Sequence, residues 1–325
     1  MKKLLFVSLL ALCVAVSCQK DAAQEDTVEV NIALSMPTSL QTKAIGDGTT
    51  VDKLYYAVYN SDKTEHITSL DGVEPVPVTT VDGKKGWNLT LRLVKNYKYH
   101  IFFWAQKEGA PYTFDKTNAT VKVDYSGKAN DETRDAFCYL ATIDVPSDMQ
   151  NFQPNGGKPF ELRRPFAQIN FGASDYNMIQ ELELSVESTI SVNGLPDTYS
   201  FLTGEISGSA TTNLALAAIP YPERLVVNND ATSYGYVGMN YILAPENEYD
   251  AEGNVKEVRE VNDIDVTFAY NDAFVELEIP NVPYQRNFRT NIIGNFFSVD
   301  VKVDVIVVEE FYNPDVVYNY PEDAK

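Results

Sequence analysis

Histidine and cysteine, the side chains behind most nucleophilic and metal chemistry, are almost missing: 325 residues hold two histidines and three cysteines. No Cys-x-x-Cys pair and no His-x-x-x-His spacing exists, so a structural zinc site has no set of ligands to draw on. A Ser-His-Asp or Cys-His centre needs a base held by a third group, and neither His66, beside Glu65, nor His100, inside an apolar run, stands in such a signature. Glycine-rich phosphate loops are absent as well. No metal, no cofactor and no catalytic residue is therefore expected. Positive charge is also scarce, with 26 Lys and Arg against 46 Asp and Glu and a net charge of −20. So acidic a body repels nucleic acid and anionic lipid surfaces, which argues against them as partners.

Long apolar runs are missing too. Residues Leu4 to Val16 form an apolar stretch of about 13 residues, against the ~20 that a spanning helix needs. It follows Met1-Lys2-Lys3 and ends in Ala15-Val16-Ser17-Cys18, which is the layout of a secretory signal over residues 1–17. A cysteine directly after the small residue points to a lipoprotein, with Cys18 as the site of lipid attachment, because two or more acyl chains anchor stably where one does not. Removing residues 1–17 takes away Lys2 and Lys3 and moves the net charge from −20 to −22. Residues 18–26, polar and without apolar period, read as a tether, and the acidic residues in it also suit a surface-export signal. Cys13 leaves with the signal and Cys18 carries lipid, so Cys138 has no disulfide partner in its own chain. It reads as a small buried hydrophobe.

What the chain does have is period-two alternation from one end to the other. Val28, Val30, Ile32, Leu34 and Met36 fall on one face, against Glu29, Asn31 and Ser35 on the other, and Val299 to Val307 repeat the pattern. Shorter runs recur at Leu54 to Tyr59, Leu89 to Leu93, Tyr97 to Ala105, Ala119 to Val123, Ala167 to Phe171, Leu182 to Ile190, Ile264 to Tyr270 and Ala273 to Ile279. Turn clusters such as Asp82-Gly83 and Gly156-Gly157 separate them, the signature of β-sandwiches. One short helical turn is expected around Asp175 to Glu181. Length and the Gly and Pro content of residues 151–159 predict two domains, 27–158 and 159–325.

Other constellations carry less. Asp250 to Asn254 has oxygens for a calcium ion but lacks the twelve-residue ligand pattern and reads as a hairpin turn. Twenty Tyr and 16 Phe suit packed strand faces, although exposed ones would stack on sugars. Arg163, Arg164, Arg286 and Arg289 are expected to pair with carboxylates or carbonyls.

Three segments together resemble the fimbrillin family, the type V pilins and pilin-like surface lipoproteins of Bacteroidales: the lipobox at Cys18, Glu161-Leu162-Arg163-Arg164-Pro165-Phe166-Ala167-Gln168-Ile169-Asn170-Phe171, and Val282 to Asn295. The resemblance implies an all-β fold of two transthyretin-like β-sandwich domains in tandem and an outer-membrane, surface-exposed lipoprotein. It further implies a non-catalytic fimbrial subunit that assembles by strand exchange and serves adhesion, with other fimbrial subunits, outer-membrane lipid and a host or bacterial surface ligand as partners. In that family the first strand is cut away at the surface and a strand of another subunit fills the groove. Here the displaced strand is Val28, Val30, Ile32, Leu34 and Met36. The candidate maturation site is Lys43-Ala44, where the family usually has arginine. Asp315 to Tyr320, bounded by Pro314 and Pro321, is a candidate donor. The rival reading is a glycan-binding surface lipoprotein for nutrient capture, which requires a shelf of exposed aromatics.

Overall fold

The structure, a computed structural model, describes residues 26–37, 48–72, 74–127, 129–175, 189–215, 224–226, 233–248, 250–251, 256, 260–270, 273–296, 303–308 and 316–318. Among these the chain consists of strands, turns and three short 3-10 segments, with no α-helix. The helical turn expected at Asp175 to Glu181 and most of Leu182 to Ile190 lie outside the described residues, as do Val299 and Val301.

In the first sheet β1 (Thr27–Ser35) and β5 (Lys84–Val94) pair antiparallel along their whole length, with β4 (Thr79–Val81) outside β5. Two short strands, β10 (Asn151–Phe152) and β11 (Phe160–Glu161), run parallel to β1 on its other side. The β4–β5 hairpin turns through Asp82-Gly83, both at positive φ (50° and 78°), the backbone that a tight two-residue hairpin demands. The second sheet has the order β3 (Val76–Pro77), β2 (Lys53–Tyr59), β6 (Lys98–Gln106), β9 (Phe137–Asp144). One cluster of buried side chains lies between these two sheets, including Val30, Leu34, Leu54, Tyr56, Ile101 and Phe103. They form one sandwich.

A second sandwich faces it. Its larger sheet runs β17 (Arg224–Val226), β18 (Ser233–Leu243), β12 (Phe166–Ala173), β21 (Arg289–Gly294), β22 (Val303–Val308), β23 (Val316–Tyr318), and its smaller one β16 (Ala210–Ala215), β13 (Thr189–Leu195), β19 (Glu260–Tyr270), β20 (Ala273–Tyr284). The fifth sheet joins hairpins distant in sequence: β7 (Tyr112–Asp115) and β8 (Thr120–Val123) continue into β14 (Thr198–Ser200) and β15 (Glu205–Ser207), through antiparallel pairing of β8 with β14. The other face of the second sheet packs into this half, so that Phe102 and Trp104 share a core with Phe166, Phe201 and Tyr241.

That double burial corrects two readings. Tyr97 to Ala105 and Ala167 to Phe171 are expected as alternating, half-buried strands, yet every residue of β6 after Lys98 and every residue of β12 is buried. Both lie in the middle of stacked layers, where each face meets protein; the near-continuous apolar run of β6 is what a two-sided environment selects, whereas β12 buries Gln168 and Asn170 on its second face, Asn170 donating to the Asn291 side-chain carbonyl at 2.8 Å.

Candidate functional site

The strand singled out for displacement proves to be an interior strand of its sheet. Val28, Val30, Ile32, Leu34 and Met36 are each no more than 2% exposed, and Glu29 on the opposite face is exposed. At ~1.5–3 kcal/mol per buried side chain, these five are worth on the order of 10 kcal/mol. The register with β5 is unbroken from Thr27↔Val94 to Ser35↔Gly86. On the other side β1 pairs with β10 at Glu29↔Asn151 and Val30↔Phe152 and with β11 at Leu34↔Phe160 and Ser35↔Glu161. Take β1 away and two walls of backbone remain, with an apolar floor between them.

Two residues of β5 fix how β1 leaves this slot. A Cβ on Gly86 would lie 2.2 Å from the Leu34 carbonyl oxygen, so only glycine allows the strands to approach there. The Lys85 carbonyl accepts the Met36 amide at 2.9 Å. Its ammonium donates to the carbonyls of Thr49 (2.6 Å), Val51 (2.9 Å) and Gly48 (3.4 Å), where the chain returns to enter β2. One lysine thus pins both ends of the β1–β2 connection. Neither role is legible in the sequence, where Lys84-Lys85-Gly86 reads as the flank of a turn. The clamp by β10 and β11 is equally hidden, because pairing over more than a hundred residues leaves no local pattern.

The remaining candidate residues fall elsewhere. Cys18, Lys43 and Ala44 lie outside the described residues. Asp315 to Tyr320 is described at Val316–Tyr318, which pairs antiparallel with β22 of its own chain (Val305↔Tyr318, Val307↔Val316). His66 Nε2 stands 3.0 Å from Asp71, a carboxylate shared with Lys116. His100 is buried, with Nε2 3.2 Å from the Ser61 carbonyl and Nδ1 3.1 Å from the Thr142 hydroxyl. Cys138 is buried and free, and burial pushes its thiol up to about 11, away from the thiolate a nucleophile needs. Arg164 makes a two-pronged buried bond with Asp135 (2.7 and 2.8 Å) and Arg286 bonds Glu246 at 2.7 Å, so both pair with carboxylates as expected. Among the described residues no group of three or more His, Cys, Asp or Glu is placed to hold a metal ion. Nor is any helix long and apolar enough to cross a membrane. Among the described residues Tyr97 is the one aromatic of the exposed large apolar side chains, the others being Val78 and Met149.

A model of a family of unknown function, DUF6562, matches residues 20–323. No curated protein matches the chain by sequence. Solved structures of similar shape include a fimbrial assembly protein from Parabacteroides distasonis, 13% identical with a TM-score of 0.46, covering 87% of this chain and 96% of that one. Another is the tip fimbrial protein Mfa3 from Porphyromonas gingivalis, with 12% identity, a TM-score of 0.43 and coverage of 87% and 99%. A third is a candidate polysaccharide binding protein (DUF1812) from Bacteroides thetaiotaomicron, with 11% identity, a TM-score of 0.49 and coverage of 92% and 100%. At such distances no residue role passes from them to this chain.

Proposed function

Because the chain belongs to DUF6562, a family of unknown function, its role has to come from its own geometry, and we propose that it is a non-catalytic, lipid-anchored fimbrial subunit that assembles by strand exchange and serves adhesion at the cell surface. The observation that carries this reading is the placement of β1: a buried strand held between two backbone walls and preceded by the proposed tether and Cys18. Cutting at Lys43-Ala44 has two consequences at once. It separates the acylated end from the folded body, and it leaves β1 held only by non-covalent contacts. A strand of alternating pattern from another subunit then recovers both the ladder and the apolar burial. A subunit that escapes the cut keeps its lipid and its own β1, and so stays at the outer membrane as an anchor. The scarcity of exposed aromatics among the described residues gives the glycan-binding alternative no comparable support.

The test compares residues 19–325 with residues 44–325 by size-exclusion chromatography and electron microscopy, with and without the last eleven residues. Ladders or fibres in the shorter form, lost on C-terminal truncation, are expected. A folded, monomeric 44–325 protein overturns strand exchange for this chain alone. Loss of fatty-acid labelling in Cys18→Ala is expected in cells, and normal labelling removes the lipid anchor from the reading.

A further inference from the structure

β1 is not clamped evenly. In an antiparallel ladder successive residues turn their N–H and C=O to opposite neighbours. The Leu34 carbonyl lies against Gly86 of β5, whereas the Ser35 carbonyl accepts the Leu162 amide at 3.0 Å on the other side. Odd-numbered residues of β1 therefore face β10 and β11. Glu29 and Ser35 meet a strand there, but between the pairs Val30↔Phe152 and Leu34↔Phe160 three residues of β1 (31–33) lie opposite seven (153–159). The four extra residues cannot stay in the ladder. Asn155, Gly156 and Gly157, all at positive φ (58°, 62° and 78°), turn the chain outward. On that edge the backbone groups of Asn31 and Ala33 have no ladder partner, and beside them opens a cavity of about 310 Å³ between the middle of β1 and β5 and residues Gln153, Pro154, Gly157 and Lys158. Lys158 is the only charged side chain lining it.

We propose that this cleft is the foothold at which an extended segment of a second copy of the chain first engages, before β1 leaves. The inference rests on the strand-exchange reading and supplies its missing step. A strand paired along both edges has to dissociate before anything can replace it, whereas one with an open middle accepts an incoming strand while still bound. The amides of Asn31 and Ala33 offer the first backbone bonds, and residues 153–158 swing aside because no ladder pairing holds them. The occupant is the C-terminal segment around β23. Among the described residues β23 spans three residues and pairs with β22 alone, at the edge of its sheet, so it detaches at small cost. Its flanks carry Asp315, Glu322 and Asp323, which suit the single positive charge of the cleft.

The experiment uses the full chain with a specific protease site introduced between residues 43 and 44 and a fluorophore ahead of residue 26. After cutting, release of the labelled β1 fragment is followed against the concentration of a synthetic peptide of residues 314–325. A foothold makes release faster roughly in proportion to peptide concentration. Ala33→Pro removes a cleft-facing N–H without touching the β5 ladder, and slows that concentration-dependent part by about 3- to 10-fold, as the loss of one backbone bond implies. Deleting residues 154–157 lets the remaining three residues continue the ladder and abolishes it. Release at a rate independent of peptide, followed by peptide uptake, overturns the foothold and leaves strand exchange standing. No release and no uptake at any concentration overturns strand exchange itself.

Discussion

Single residues divide into those the sequence announces and those only the fold explains. Cys138 and Arg164 are of the first kind: a lone cysteine among aromatics and an arginine in an acidic chain find burial and a carboxylate, as their chemistry requires. His100 is of the second. Its run, Tyr99-His100-Ile101, reads as strand, but nothing local says that the imidazole sits under the Ser61 carbonyl and the Thr142 hydroxyl. Burial there holds its pKa below the ordinary value of 6.5, the desolvated ring resisting charge. The folded state therefore binds this proton less readily than the unfolded chain. Stability from this group is complete above about pH 6.5, its unfolded value, and is lost as the pH falls through that value toward the folded one. Urea unfolding at several pH values between neutral and mildly acid should show this loss, and His100→Gln should flatten that part of the profile. A slope unchanged by the substitution rejects the assignment.

At the scale of the element, alternation was legible and its partners were not. Val28 to Met36 announces a one-face strand, and its five apolar side chains are all buried, although Ser35 on the other face is buried too. What the pattern omits is that β1 has neighbours on both edges, since pairing with Asn151 and Phe160 depends on chain that returns only after the whole first sandwich is built. The same blindness made β6 and β12 look half-buried: in β6 the run Ile101-Phe102-Phe103-Trp104 signals a further layer without saying which, while in β12 the buried polar Gln168 and Asn170 conceal it. Energies follow the two faces. Leu34 is fully buried, so Leu34→Ala should cost about 2–5 kcal/mol, whereas Glu29→Ala on the exposed face should stay within about 0.5 kcal/mol. Chemical denaturation measures both. Equal effects contradict the orientation of β1.

For the whole molecule, the proposed division near residue 158 falls between two sandwiches that share contacts across it. The fifth sheet takes β7 and β8 from one side of that division and β14 and β15 from the other. Phe102 and Phe201, one from each half, stack with centroids 4.1 Å apart and planes 2° from parallel. Polar groups cross the seam as well: the Tyr125 hydroxyl donates to the Pro196 carbonyl and accepts the Leu243 amide, while Asn130 accepts the Met239 amide. On the fimbrial role proposed above, the subunit would carry tension along a fibre, and a seam of this kind would keep the halves from parting under it. Phe201 is 1% exposed, and Phe201→Ala should cost about 3–5 kcal/mol by emptying part of the shared core. The distribution of that loss tests the coupling. If the halves share one cooperative unit, hydrogen exchange speeds up in β2 and β6, which precede the division, as well as in β14, and calorimetry shows one transition moved to lower temperature. If instead β2 and β6 keep their protection while β14 opens, or a second transition splits away, the halves are independent.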